Sequence, residues 1–272
     1  MFQIGKISRF LCRNNFRSMT NKIALVTRAS SGIGRATATE LAQNGFNLIL
    51  CGRRRVKLEE VQKKLPDSII SIVLCFDVRN NKEVEENIHS LPEEWRNIDT
   101  LVNNAGNAHG LSSIDQGDLG DWDAMIDTNV KGLLYVSRAI MPLMVKKGKG
   151  HIVNISSIAG KQTYANGGVY CASKKSVEAI SEGMRLDLTK HGIKITNIAP
   201  GAVETEFSEV RFKGNIEKAK KVYEGYDALQ AKDIASVVVF AVMAPERMTI
   251  ADVTVYPKAQ ASPSLIYRDN NG

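Results

Sequence analysis

Short apolar runs and amphipathic stretches alternate along this chain with a regularity that dictates most of its architecture. From Lys22 onward, nearly continuous apolar runs occupy residues 23–27, 47–51, 69–76, 100–103, 151–156, 194–199 and 252–256. Each has the length of a buried strand and lacks the strict polar alternation of a half-exposed one. Between them, apolar positions recur at helical spacing near residues 33–44, 55–65, 81–91, 121–147, 168–190 and 232–243. Strands alternating with helices require right-handed crossovers, and the hydrophobicity of the strands requires cover on both faces. The predicted fold class is therefore α/β: a doubly wound, parallel, seven-stranded sheet of the Rossmann type. No Pro/Gly/Ser-rich linker, internal repeat or low-complexity block interrupts it. Residues 21–272 are read as a single domain.

Residues 1–20 follow a different rule. At about 100° per residue, Lys6, Arg9, Arg13 and Arg17 share one helical face, with Ile4, Ile7 and Leu11 roughly opposite. A basic, acid-free amphipathic N-terminus has the composition of a mitochondrial presequence. A disordered extension, or a start at Met19, are the alternatives, and Asn14-Asn15 weakens the helix. This segment also explains the net charge of +7. Seven of the 36 Lys/Arg lie in residues 1–39, where no acid precedes Glu40, and the other 29 match the 29 Asp/Glu. The body is thus neutral, and nucleic-acid binding is not expected.

No apolar run approaches the ~20 residues that span a bilayer, so no membrane segment is expected. Cys12, Cys51, Cys75 and Cys171 show no zinc or redox spacing, and His89, His109, His151 and His191 are equally scattered. No metal site is expected. Cys51 and Cys75 read as buried thiols in a reducing compartment. The expected location is cytoplasmic, or the mitochondrial matrix if residues 1–20 are a presequence.

Chemistry enters at "TRASSGIG", residues 27–34, which lies between the first strand and the first helix. Thr27, Arg28, Ser30, Ser31, Gly32, Ile33 and Gly34 form a turn at a helix N-terminus, where free N–H groups and the positive dipole end suit a dinucleotide pyrophosphate. The second strand ends in Cys51-Gly52-Arg53-Arg54-Arg55. An acid there would select NAD through its ribose hydroxyls, whereas arginine forks suit a 2′-phosphate, so Arg53 and Arg54 favour NADP(H).

Farther on, "NISSIAG" (154–160) precedes "YCASK" (170–174). Tyr170 and Lys174, four apart in a helical pattern, project from one face. Ser157 lies just past the carboxyl end of a central strand, where open α/β sheets place ligands. A tyrosine titrates near ~10, and bringing it toward neutrality needs ~4 kcal/mol from nearby positive charge. Lys174 and an oxidised nicotinamide are candidate sources. Composition alone reads the same pair as an ordinary surface Tyr and Lys.

Taken together, these stretches resemble the short-chain dehydrogenase/reductase family. The resemblance runs from about residue 21 to 262. It is carried by the turn at 27–34, "NNAG" (103–106), "NVKG" (129–132), Ser157, Tyr170, Lys174 and Pro200-Gly201. It implies a tetrad of Asn129, Ser157, Tyr170 and Lys174. In it, Tyr170 is the general acid/base, Ser157 holds the substrate oxygen, and Lys174 lowers the phenol's pKa and binds the nicotinamide ribose. Asn129 holds a water that links the lysine to solvent. It further implies Asp77 and Val78 at the adenine. Asn104, Ala105 and Gly106 would line the nucleotide, with Pro200, Gly201, Val203 and Thr205 around the nicotinamide.

The stretches "LPEEWRNIDTLVNNAG", "DWDAMIDTNVKGLLYVSRAIMP" and "TEFSEVRFKG" are similar to the subgroup of NADP-dependent 3-hydroxy acid dehydrogenases, which includes serine and L-allo-threonine dehydrogenases and malonic semialdehyde reductases. That likeness implies reversible hydride transfer between NADP and a short 3-hydroxy acid. It also implies a homotetramer with residues 257–262 near a subunit contact. Arg211 and Lys213, on a predicted lid, are candidates for the substrate carboxylate, with a solvated loop as the simpler reading.

One position departs from the family. Arg28 stands where the family has a glycine, which allows close backbone approach and a positive φ. Two arrangements fit the sequence. Arg28 swings outward or joins Arg53 and Arg54 around the 2′-phosphate, or it fills the adenosine pocket. The rival functions are a carbonyl reductase for an uncharged ketone and a cofactor-poor, non-catalytic homologue.

Overall fold

The computed structural model describes residues 22–269, so the N-terminal segment at 1–20 lies outside the described residues. All seven predicted strands are present: β1 (Ile23–Val26), β2 (Asn47–Gly52), β3 (Ser71–Cys75), β4 (Ile98–Asn103), β5 (Gly150–Ile155), β6 (Ile193–Pro200) and β9 (Asp252–Val255). They pair in parallel in the order β3-β2-β1-β4-β5-β6-β9. A separate two-stranded pair, β7 (Val203–Glu204) with β8 (Leu229–Gln230), was not expected, because two residues carry no readable period.

The period-2 geometry of the strands builds two cores. Ile23, Leu25, Ile49 and Cys51 point to one face, with Val136, Ile140 and Met144 of a helix at Gly132–Lys147 and Met184 and Leu188 of another at Gly168–Leu188. Ala24, Val26, Leu48 and Leu50 point to the other, against Leu41 of α1 (Gly32–Gln43) and Ile234 and Val238 of a helix at Ala231–Val242. Each such aliphatic side chain contributes roughly 1.5–3 kcal/mol on burial, and both faces need it. Cys51 is buried as expected, but Cys75 is only half-buried, because β3 is an edge strand.

The chain reverses its winding between β1 and β4, which opens a crevice at their carboxyl ends. Thr27 closes the floor of that crevice. Its Oγ1 accepts from the N–H groups of Asn104 and Ala105, each at 2.9 Å, and the Asn104 amide donates to the Thr27 carbonyl at 3.0 Å. Gly34 is required here, because a Cβ would overlap Asn104 Nδ2 and the Arg28 carbonyl oxygen. Deeper in, Asn103 donates to Ser137 Oγ (2.8 Å) and Asn154 Oδ1 (2.9 Å), fixing the ends of β4 and β5 side by side.

The amphipathic stretch predicted as one helix over 121–147 is interrupted. A helix at Leu119–Ile126 passes through a π-turn at Asp127–Lys131 before the helix at Gly132–Lys147 begins. The π-turn carries Asn129. Such turns insert a bulge without breaking the helical look of the sequence, and they cluster at functional sites.

Candidate active site

A cleft of about 100 Å³ lies over the carboxyl ends of the strands. Of the residues the sequence singled out, it brings together Arg28, Ser31, Gly32, Ile33, Asn104, Gly106, Ser157, Tyr170, Lys174, Pro200, Gly201, Val203 and Thr205. Thr27, Ser30, Gly34, Arg53, Arg54, Asp77, Val78, Ala105 and Asn129 stand behind or beside it rather than on its walls. Ile155, Ser156, Glu206 and Phe207, which carry no expected role, also line it. Glu206 and Phe207 lie within the stretch already flagged as a lid, and a charged and an aromatic residue side by side there were the available signal.

Ser157 is held as the N-cap of a short helix, Ile158–Lys161, where its Oγ accepts from the Ala159 N–H at 3.1 Å. Tyr170 lies in the first turn of the helix at Gly168–Leu188, one turn from Lys174, and both are buried. Burial pushes the Tyr170 phenol well above its ordinary value. The neighbouring Tyr164 adds to that, while the Ser157 hydroxyl and the Arg211 guanidinium pull it back. Lys174 is hydrogen-bonded to another element. Its Nζ donates to the Ile155 carbonyl at 2.9 Å, and burial, then Arg28, lowers its pKa to about 8. In this arrangement the ammonium is held toward the end of β5.

Asn129 is buried and fully engaged by protein. Its Nδ2 donates to the Asn107 carbonyl and to Ser173 Oγ, both at 2.9 Å, and its Oδ1 accepts from the Asn107 N–H at 2.8 Å. Its side chain clamps the loop after β4. A Cβ on Gly106 would come 3.3 Å from both Asn129 Oδ1 and Lys174 Nζ, so the three groups converge.

The residues present suit a phosphorylated dinucleotide. Ser31 caps α1 without a side-chain hydrogen bond, and the first turn of that helix carries no acid, leaving its positive end to the cleft. Arg54 donates to Ser30 Oγ at 3.4 Å and pairs with Glu206 at 3.3 Å. Arg53 lies 3.6 Å from Asp77. Burial alone would raise the Asp77 carboxyl, but Arg79, hydrogen-bonded at 2.7 Å, and Arg53 bring it below its usual range.

Arg28 is the exception to an open seat. It adopts φ +51°, the left-handed region that costs a residue with a side chain about 1–2 kcal/mol, as the expected glycine would not. Its guanidinium does not swing outward. It crosses the cleft and donates to the Gly106 carbonyl.

Arg211 stands over the phenol, its Cζ 5.5 Å from the Tyr170 ring centre and 5.6 Å from that of Tyr164. Its Nη2 donates to Tyr164 Oη at 2.7 Å, and it forms no ion pair among the described residues. Lys213 is different: it pairs with Asp121 at 3.0 Å, outside the cleft, which removes it as a carboxylate donor. Phe207 closes the far side, with its ring 5.9 Å from that of Tyr170.

Comparison with known proteins places this geometry in context. The family described as short chain dehydrogenase matches residues 22–215. The chain is 43% identical over 244 residues to the NADP-dependent 3-hydroxy acid dehydrogenase YdfG of Salmonella typhi, covering 89% of this chain and 98% of that protein. It is 40% identical over 253 residues to the NADP-dependent 3-hydroxy acid dehydrogenase of Schizosaccharomyces pombe, covering 92% and 98%. Among solved structures, the closed form of serine dehydrogenase complexed with NADP+ superposes with a TM-score of 0.85 at 42% identity, covering 91% of this chain and 100% of that one.

Proposed function

Because this chain belongs to the short-chain dehydrogenase family, we propose that it is an NADP-dependent oxidoreductase interconverting a short 3-hydroxy acid and its oxo counterpart. The observation that carries this reading is the convergence of Ser157, Tyr170 and Lys174 with the turn at 28–33 in one cleft at the sheet's carboxyl edge. The relatives named above support the cofactor and the substrate class.

The N-terminus of α1 would hold the cofactor's pyrophosphate, Arg53 and Arg54 its 2′-phosphate, Asp77 and Val78 its adenine, and residues 200–205 its nicotinamide. Bound NADP supplies the hydride acceptor at C4 of its nicotinamide, and NADPH the donor. Tyr170 takes the proton of the substrate hydroxyl during oxidation and returns it during reduction. Ser157 holds that same oxygen beside the phenol, a preorganised contact that costs no rearrangement as the reaction proceeds. Lys174, one turn away, would bind the nicotinamide ribose and lower the phenol's pKa with its positive charge, and a water held at Asn129 would link it to solvent. Arg211, lacking a carboxylate partner among the described residues, receives the substrate's carboxylate.

The remaining elements of the reading concern assembly and location. Exposed apolar residues on the helix at Ala231–Val242 (Phe240) and in the carboxyl tail (Leu265, Tyr267) support self-association to a homotetramer. Free Cys51, Cys75 and Cys171 suit a reducing compartment, the cytoplasm or the mitochondrial matrix. A panel of 3-hydroxy acids and uncharged alcohols, each run with NADP and with NAD, tests the reading. Turnover of 3-hydroxy acids with NADP is expected. Turnover of uncharged alcohols alone would assign the chain to a different substrate class.

A further inference from the structure

Arg28 lies on one lip of the crevice, after β1, and Gly106 lies on the other, after β4. The contact between them therefore spans the switch point itself, the place where an open α/β sheet seats its nucleotide. The cleft beneath measures about 100 Å³, against ~300–1,000 Å³ for ordinary ligand pockets. The bridge also has an unusual electrostatic setting. Arg28 is half-buried and meets a neutral carbonyl, with no ion pair among the described residues. Arg54 and Arg53 act on it as like charges, and the nearby acid, Glu206, is already shared by Arg54 and Lys57. The guanidinium thus holds a weak partner in a region that favours an anion.

From this geometry we infer that Arg28 is a gate across the cofactor cleft that discriminates between the two nicotinamide dinucleotides. The adenosine half seats only after the Arg28–Gly106 bridge opens. A 2′-phosphate beside Arg53 and Arg54 offers the released guanidinium a better partner than the carbonyl it leaves. An unphosphorylated ribose offers none, so NAD bears the cost of opening with no return. The inference rests on the reading of the cofactor as NADP. It places selectivity at a turn position that a glycine would leave silent.

The test is direct binding of NADPH and NADH, by nicotinamide fluorescence and calorimetry, to the full chain and to its Arg28→Gly and Arg28→Asn variants. Glycine accepts φ +51° freely, and asparagine tolerates it while still lacking the guanidinium. Both variants are expected to bind NADH at least tenfold more tightly than the unaltered chain, with faster association. NADPH affinity changes less, so the ratio of the two dissociation constants falls at least tenfold. If the ratio stays within twofold in both variants while NADPH still binds, the gate is refuted and the cofactor reading stands. If no variant binds either nucleotide at millimolar concentration, the cofactor reading falls and the gate with it.

Discussion

Replacing Arg211 by methionine removes the cation above the phenol while keeping much of the side chain's length and apolar contact. The guanidinium sits 5.5 Å from the centre of the Tyr170 ring, donates to Tyr164 Oη at 2.7 Å and to the Gly110 carbonyl at 3.4 Å, and has no carboxylate partner among the described residues. In a 3-hydroxy acid the reacting oxygen and the carboxylate stand on carbons separated by one methylene or its equivalent. On the proposed reading, a substrate whose hydroxyl meets the phenol would present its carboxylate to Arg211. Hydrogen bonds involving a charged group are worth about 1.5–3 kcal/mol, which corresponds to a loss of roughly 10- to 150-fold in kcat/KM for the acid. The same reaction run on the methyl ester isolates the charge: the ester should lose less than about threefold, a change of well under 1 kcal/mol. Arg211→Lys should fall between the two, because an ammonium keeps the charge but not the fork. Initial rates on the acid and ester with unaltered protein and both variants decide the matter. If Arg211→Met loses neither affinity for the acid nor preference for it over the ester, the carboxylate role is wrong. Equal losses on acid and ester would instead mark Arg211 as a brace for Tyr164.

Other consequences can be checked with the same protein. Tyr170→Phe should lower kcat by about 100- to 10,000-fold, the usual worth of general acid–base catalysis, with the NADPH dissociation constant unchanged within a factor of two or three; normal turnover would remove the phenol from the mechanism. Gly34→Ala should destabilise the fold by ~1–3 kcal/mol, read as a lower urea midpoint, because the new methyl overlaps Asn104 Nδ2 and the Arg28 carbonyl. His151, buried on β5 with Nε2 2.7 Å from Thr196 Oγ1 of β6 and no partner at Nδ1, is held neutral down to a pKa of about 3 by burial and then by Lys194. The unfolded chain takes up that proton near 6.5, so stability is full above that pH and declines as pH falls. Between pH ~7.5 and ~5.5 the loss is about 1.4 kcal/mol, and His151→Gln should flatten the urea-midpoint profile by that amount.

What was legible in the sequence follows the range of the interaction that determines it. Strands such as residues 47–51 declared themselves because a strand covered on both faces must be apolar throughout, and Leu48 to Cys51 divide between the two cores as the pleat requires. The π-turn at 127–131 was hidden for the same reason that the helices were visible: it adds a bulge while the apolar period continues around it. The spacing of Tyr170 and Lys174 rightly put them on one face of a helix. It did not reveal that Lys174 turns back to the Ile155 carbonyl, because that partner belongs to another strand. Lys213 shares the predicted lid with Arg211, the donor favoured for its bidentate fork. The pairing of Lys213 with Asp121, ninety-two positions away in the chain, sets it aside.

Arg28 makes the same point most sharply, since its identity, its turn and its departure from glycine could all be read locally. The direction of its side chain could not. A guanidinium on a flexible stem goes where its acceptor is, and that acceptor lies 78 residues onward, placed by the register of β1 against β4 and by the Thr27 contacts beneath. Outward, toward the 2′-phosphate, and across the cleft are equivalent choices for an isolated turn, and they become different once the second lip of the crevice is in position. The consequence runs from packing to function. The hydrogen bonds that hold the two loops close enough to grip a pyrophosphate are the ones that bring the Gly106 carbonyl within reach of Arg28. Loosening that floor, for instance by Thr27→Val, should therefore weaken the seat and the bridge together, whereas Arg28→Gly should open the bridge and leave the seat intact.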